Sequence, residues 1–487
     1  MGMKKTLTRR AALSTALAAL GTSVFAVAPL KSLRPIARPD ASPMLLGGAA
    51  AVIRSFSLTG QVSCALMDPE TGVLLDAYSP EAKLPPASVT KALTAAYGLQ
   101  KLGRDFQFVT RLSLQGRVTH GAFVGDVILT GSADPTLHTD DLVKFAKALQ
   151  KTGIQQVKGR LLIVDNGFPY LREIDSSQLP QANYNPAIAG VNLNLNRVQF
   201  EWARQASGGY DLSMSAPGRI YRPQIPSIGM RVEERDAPSY AYQYATEREE
   251  WSVQRSALGK DGGRWLPARN PRRYAGEAFR AICAEMGIEL PPPTIVEGQH
   301  PDAVMAVDIA QKNSRPYHEI AKSMLKLSTN LTAEVIGLTA SGAPNMRQSA
   351  AALSQFAQAH GMRGAVVDHS GLSDQSRLTA GGLAMFMAWH HRNGLADLLK
   401  PKILRDKGKP MAGVDLRVKT GTLNFVSTLS GYLTYEGKSL GFAILTADMA
   451  RREKGKGSEN PRGAKGWEAR SRSLQYALLR DWLGHLR

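Results

Sequence analysis

Apolar and polar residues change rhythm several times along this chain. A basic start at Lys4, Lys5, Arg9 and Arg10 gives way to an apolar run from Ala11. The stretch "LLGGAAAVIRSF" (45–56) reads as a helix. "VSCALMDPETGVLLDAY" (62–78) alternates on either side of Asp68–Gly72, which predicts a hairpin. "PPASVTKALTAAYGLQKLG" starts at Pro85. Its apolar spacing predicts a helix opening near Ser88, with Gly103 placed to end it. From Asp105 the texture is that of strands. An amphipathic helix over about 140–151 follows, then a strand in "GRLLIVDN". The stretch 172–300 is rich in Pro, Asn and Gly and reads as a loop-rich inserted lobe rather than a core. Helical spacing returns near Tyr317, over 345–360 and over 379–400. "LRVKTGTLNF", "VSTLSGYLTYEG" and "KSLGFAILTADM" predict three short strands, and a helix over about 466–486 closes the chain.

Strands and helices at both ends, with a different texture between, predict a discontinuous α+β outer domain. Its N- and C-terminal pieces would share one antiparallel sheet flanked by helices. A length of 487 residues suits two or three domains. No period of 20–50 residues repeats, so a solenoid is excluded.

The first segment has the build of a secretory signal: a basic start, an apolar stretch, then small residues at Val24, Ala26 and Ala28. Thr8-Arg9-Arg10 is a partial match to a twin-arginine signal. The apolar run is short for a membrane span, and no later segment reads as one. Removing the signal takes the formal charge from +19 to about +15. In a cytosolic protein that excess would suggest nucleic acid. In an exported, periplasmic one it suits peripheral contact with anionic envelope polymers or lipid headgroups, and no nucleic-acid partner is expected. Much of the charge sits in "RREKGKGSENPRGAKG" (451–466), which reads as a solvated loop. Cys64 and Cys283 are the two cysteines; an oxidising compartment permits a disulfide, and two separate buried thiols fit equally well.

The chemistry begins with Ser88 and Lys91. Residues at i and i+3 share a helix face, and a serine needs a neighbour to take its proton. Free N–H groups at the helix start favour a developing negative charge, and the Ser88 N–H is placed to serve an oxyanion hole. A lysine at its reference pKa of ~10.4 is almost wholly protonated at pH 7. Burial and a second nearby cation would both lower that value, so a Ser–Lys site calls for another basic residue. S-x-x-K alone is weak, since a chain of this size holds roughly one or two by chance. Its company is informative: "LSTNLTAE" supplies Ser328 and Asn330, and "VKTGTL" supplies Lys419, Thr420 and Gly421. A Lys-Thr-Gly triplet is expected only about 0.1 times by chance at average composition. The trio of motifs is that of penicillin-binding proteins and class A β-lactamases.

The chain resembles the class C low-molecular-weight penicillin-binding proteins, the D-alanyl-D-alanine carboxypeptidase/endopeptidases of peptidase family S13. The likeness extends to "FVGDVILTGSADPTL", "YNPAIAGVNLNLNRVQFEW", "DHSGLSDQSRLTA" and "KTGTLNFVSTLSGYL". It implies a signal over 1–28 and a penicillin-binding/β-lactamase-like peptidase domain from 45–104 and 305–487. It also implies one inserted domain from 105–171 and 264–304, and another over 172–263. In that family's terms Ser88 is the acylated nucleophile and Lys91 its proton acceptor. Ser328 relays a proton to the leaving amine, and Asn330 holds substrate and Lys91. Lys419 and Thr420 receive the terminal carboxylate. Gly421 lets substrate lie along the strand edge, and the Thr422 N–H completes the oxyanion hole. The implied substrates are peptidoglycan stem peptides ending in D-Ala-D-Ala, or cross-links between D-Ala and meso-diaminopimelate. β-Lactams are the implied inhibitors and no cofactor or metal is implied; oligomeric state is left open.

One departure stands out. The family's G-L-S-R segment carries Asp374 here in place of the arginine, which puts stem-peptide selectivity in question unless Arg377 takes over. Two rival readings remain. A β-lactamase-like hydrolase would need a deacylating glutamate motif and a shorter insert; a non-catalytic envelope scaffold has no use for Ser88, Lys91, Ser328 and Lys419. His120, His138, His318, His360, His369, His390 and His391 show no metal spacing and read mostly as surface or loop residues. Asp134 and Asp165 read as turn formers.

Overall fold

The computed structural model describes residues 48–119, 122–245, 248–298, 305–484 and 486. The expected signal over 1–28 and His120 lie outside them.

A six-stranded antiparallel sheet draws on both ends of the chain. Its strands run in the order Lys400–Lys402, Val414–Leu423, Val426–Tyr435, Lys438–Ala447, Gln61–Met67 and Leu74–Tyr78. Both faces are covered, which is why "LGFAIL" reads as an unbroken apolar run. Successive residues point to opposite faces. Phe442 and Ile444 pack with Leu474, Leu478 and Trp482 of the closing helix Ala464–Gly484. Ala443 and Leu445 join the cluster of helices Thr90–Lys101 and Ala380–His390. The α+β architecture expected from the ends of the chain is the one observed.

The insert has a mixed sheet of its own, ordered Pro293–Val296, Leu161–Val164, Ala122–Thr130, Val109–Thr119 and Val307–Asn313. Helices Thr139–Lys151 and Pro271–Glu285 share its hydrophobic cluster. Two expected boundaries shift by sheet membership. Val307–Asn313 pairs with Val109–Thr119, so the insert extends past 305. Asp261–Pro267 is one strand pairing with Arg197–Arg204, so no boundary falls at 263/264. The stretch expected to be loop-rich folds into two three-stranded sheets. Its Phe200 and Trp251 are fully buried in the same cluster as Leu129 and Ile163 of the mixed sheet and Phe279 of the helix Pro271–Glu285. Loop composition hid this core because the strands are short and separated by long turns.

Cys64 and Cys283 are both free and lie in different hydrophobic clusters, so the disulfide reading is set aside. Burial pushes the Cys64 thiol up to about 12 and raises that of Cys283. Among the described residues, no helix is long and apolar enough to cross a membrane.

Candidate active site

Ser88 sits in a tight turn, Ala87–Val89, that feeds directly into the helix Thr90–Lys101. The two prolines bias Leu84 and Pro85 toward an extended backbone, and the chain turns at Pro86, with φ −76° and ψ −17°. Ala87 takes φ +47°, and the Pro86 carbonyl accepts a 2.8 Å bond from Thr428 Oγ1 on the sheet. Gly421 lies opposite Thr428 in the ladder. A Cβ there would come within 2.2 Å of Thr428 Oγ1 and 2.9 Å of the Ser88 nitrogen. Glycine at 421 is therefore required by the nucleophile turn itself, a reason apart from room for substrate. Gly371 presses on the same turn from the other side, with φ +70° and the Ala87 carbonyl where a Cβ would stand.

Lys91 is fully buried. Its Nζ lies 3.0 Å from Ser88 Oγ, 2.7 Å from Asn330 Oδ1 and 2.7 Å from the Ser370 carbonyl. Burial lowers its pKa to about 8, against the opposing pull of the Glu334 and Asp368 carboxylates. The neutral amine has two N–H donors and one lone pair. Asn330 Oδ1 and the Ser370 carbonyl can only accept, so they take the two donors and leave the lone pair facing Ser88.

Ser328 links two helices, Tyr317–Leu327 and Asn330–Ser341, in a left-handed conformation at φ +60°. Strain of this kind persists only where its surroundings fix it. Ser328 Oγ accepts from Lys419 Nζ at 3.1 Å, and the Thr420 carbonyl accepts from the same ammonium at 2.6 Å. Lys419 is nearly buried, and its pKa is lowered by burial first, then by the charges of Lys91 and Lys400. Asn330 Nδ2 donates to the Tyr184 carbonyl at 2.8 Å, tying the inserted segment to the site.

The strand Lys400–Lys402 covers its neighbour only at Leu416–Val418. From Lys419 to Leu423 one edge of Val414–Leu423 is left unpaired by the sheet. Thr420 and Thr422 are exposed there, while Lys419 and Gly421 face inward. An edge of this kind can pair with an extended peptide. Thr422 lines a cleft of about 400 Å³ over Ser88, and its hydroxyl donates to Glu468 at 3.2 Å.

All eight residues singled out in the sequence thus converge on one cleft and the strand edge beside it. Glu334 and Asp368 were missed. Each fully buried carboxylate accepts two backbone N–H groups: Glu334 from His369 and Ser370 (2.9 Å each), Asp368 from Gly371 (2.6 Å) and Ser373 (2.7 Å). They hold the loop that offers the Ser370 carbonyl to Lys91. Burial raises both pKa values, that of Glu334 to about 8. A lone glutamate inside the apolar run "LTAEVIGL" was the available signal.

Arg452 was also missed, because 451–466 read as a solvated loop. The helix Met449–Lys454 carries Arg452 into the cleft wall, where its Nε donates to Asp374 Oδ2 at 2.9 Å. The Asp374 carboxylate is thus ion-paired. Arg377 folds back onto the carbonyls of Asp374 and Ser376 and does not take over the missing arginine's place.

Among the other histidines, His369 and His390 are buried, contrary to the surface reading, and burial lowers each to about 3. Asp134 and Asp165 do more than form turns: Asp134 accepts from Lys312 at 2.5 Å and Asp165 from Arg272 at 2.9 Å. Among the described residues no group of three His, Cys, Asp or Glu is placed to hold a metal.

Comparison with known proteins fits this geometry. The chain is 26% identical over 437 residues to a D-alanyl-D-alanine carboxypeptidase of an Actinomadura species, covering 81% of this chain and 79% of that one. It is 22% identical over 386 residues to D-alanyl-D-alanine carboxypeptidase DacB of Haemophilus influenzae, covering 72% and 77%. The fold matches the crystal structure of penicillin binding protein 4 from Haemophilus influenzae with a TM-score of 0.70 at 19% identity, over 88% of this chain and 99% of that one. Residues 50–470 match the model of one peptidase family along nearly the whole described chain, and the protein belongs to it: the D-Ala-D-Ala carboxypeptidase 3 (S13) family.

Proposed function

We propose that this protein is an exported, periplasmic serine DD-peptidase that acts on the D-Ala-D-Ala ends of peptidoglycan stem peptides through an acyl-enzyme on Ser88. The observation that carries the reading is the cage around Lys91. Two carbonyl-type acceptors orient its amine so that the lone pair meets Ser88 Oγ. At a pKa of about 8, roughly one Lys91 in ten is neutral at pH 7, against about one in a few thousand for an ordinary lysine.

In this reading the substrate lies along the open edge at Lys419–Leu423, with its terminal carboxylate at Lys419 and Thr420. Ser88 Oγ attacks the carbonyl carbon of the penultimate D-Ala while its proton passes to Lys91 Nζ. The Ser88 and Thr422 N–H groups hold the oxyanion. On collapse the C–N bond breaks. The proton moves from Lys91 through Ser328 to the leaving amine, and water then hydrolyses the ester. A β-lactam follows the same first step, but its amine stays tethered and blocks the site. The carboxylates lining the cleft, Asp374 and Glu459, are ion-paired with Arg452 and Arg264. Neither is free to activate a deacylating water, which weighs against a β-lactamase. The completeness of the Ser88–Lys91–Asn330 cage weighs against a non-catalytic scaffold.

Penicillin is the test. Treated protein should gain the mass of one β-lactam, and a tryptic map should place it on the Ser88 peptide. Labelling that persists in Ser88→Ala overturns the assignment.

A further inference from the structure

The cleft over Ser88 continues beyond it. Tyr184, Ser328 and Asn330 line the cleft, and on their other side they line a groove with Leu195, Arg197 and Leu327. That groove runs on into a hollow of about 250 Å³ against Trp265, Arg315 and Met324, with Arg197 lining both stretches.

Arg197 has no counter-ion among the described residues. Its guanidinium stacks on the Trp265 ring, 5.3 Å from the centroid, and its enclosed Nε has no hydrogen-bond partner. Burial lowers its pKa from the ordinary value. A desolvated, unpaired cation is costly unless something brought to the site completes it. The backbone before it is held in an uncommon shape. Asn194, Leu195 and Asn196 all take left-handed φ, at 51°, 57° and 52°. Asn194 Oδ1 accepts from the Thr139 N–H, and Asn196 Nδ2 donates to the Ala187 carbonyl and to Asn192 Oδ1. This scaffolding fixes the position of Arg197 relative to the groove.

We propose that the groove receives the leaving peptide of a cross-linked pair of stem peptides, and that Arg197 binds a carboxylate on it. The inference rests on the DD-peptidase reading. Ser328 stands at the junction of cleft and groove and also beside Lys419, where the leaving amine departs. A single departing D-Ala ends at Lys419 and Thr420. A leaving group that is itself a peptide must continue past Ser328, and the groove is the open path. Once Lys419 holds the carboxylate next to the scissile amide, a second carboxylate farther along meets Arg197. The planar guanidinium matches a carboxylate in two-point fashion. Arg315 adds positive charge to the rim; its own partner, Glu319, is 3.8 Å away with both side chains about half exposed. Arg197 is thus a specificity-determining residue for cross-linked substrates, reading a carboxylate of the leaving peptide.

The test uses the full chain and three substrates. One is a monomeric pentapeptide ending in D-Ala-D-Ala. The second is a cross-linked dimer, and the third is that dimer with every acceptor carboxylate amidated except the one beside the scissile bond. Arg197→Gln should raise KM for the dimer about tenfold, with kcat little changed. Pentapeptide hydrolysis and penicillin acylation should stay within about twofold. Amidating the acceptor should cost the wild type as much, and Arg197→Gln should lose nothing more on the amidated dimer. Arg197→Lys should keep part of the preference. The amidated dimer asks the same question of the unaltered chain, whatever the variants do to folding. Equal losses on dimer and pentapeptide, or equal wild-type rates on both dimers, overturn the proposal. A wild type that is acylated and cleaves the pentapeptide but leaves the dimer intact overturns the groove alone. One that is neither acylated nor hydrolytic overturns the peptidase reading and the groove with it.

Discussion

The inserted lobes and the peptidase core both bury cations, and they neutralise them differently. In the insert, Lys312 lies 2.5 Å from the Asp134 carboxylate and Arg272 lies 2.9 Å from that of Asp165. In the core, Lys91 touches three uncharged oxygens, and its nearest carboxylates, Glu334 and Asp368, accept from backbone N–H groups instead. A cation in contact with a carboxylate is locked in its charged form. One caged by neutral acceptors keeps a proton it can give up. Contact with a counter-ion therefore separates Lys312 and Arg272, which hold the fold, from Lys91, which does chemistry.

Four experiments break or sharpen that contrast. Lys91→Ala should slow penicillin acylation by about a thousandfold or more, with the thermal midpoint little lowered. A stopped-flow trace matching the wild type would remove Lys91 from the reaction. Arg272→Met leaves Asp165 buried without its partner and should cost on the order of 3–5 kcal/mol in denaturant unfolding. Acylation per folded molecule should be unchanged; a matching loss of activity would mean that the insert's ion pair serves the site.

Lys419→Ala should slow acylation about a hundredfold through lost carboxylate binding. It also removes a like charge near Lys91. The Lys91 charge helps to lower Lys419, but burial sets the Lys91 value, so the pH–rate limb centred near 8 should stay in place. A limb that moves to higher pH would mean that the Lys419 charge also holds Lys91 down.

The buried imidazoles give a third way to house a basic group, uncharged throughout. His369 and His390 are lowered to about 3 in the fold. Their contribution is complete above the unfolded value of ~6.5 and is lost as pH falls toward the folded one, because the unfolded chain takes up the protons. At pH 5 the loss is on the order of 2 kcal/mol for each. His369→Gln should flatten the acid side of the stability curve; an unaltered slope between pH 7 and 5 would show that this ring titrates normally.

What the sequence disclosed and what it hid follow from distance along the chain. Ser88 with Lys91, Ser328 with Asn330, and the Lys419–Thr422 run were legible because each is a local pattern with a known geometry. The sheet shared by both ends was legible because its strands are apolar runs of strand length set off by turn residues such as Glu436 and Gly437. Glu334 and Asp368 were not, because their role arises from burial, which only tertiary packing decides. Arg452 was hidden for another reason: it meets Asp374 across 78 residues, and its own neighbourhood reads as a charged loop. The strands of the insert were hidden by their turns, which dominate its composition.

The sheet that joins the two ends of the chain has a consequence in time. Cys64 lies opposite Ile444, and Ser88 waits for Lys419 before its cleft has a second wall. Pairings this distant form late, after the intervening lobes have had time to fold on their own contacts. A chain interrupted anywhere before Lys438 lacks the strand that neighbours Gln61–Met67, so it carries the nucleophile without a working enzyme. Activity of this kind switches on once, when the strand Lys438–Ala447 arrives, and an abandoned fragment is harmless to the wall it would otherwise cut.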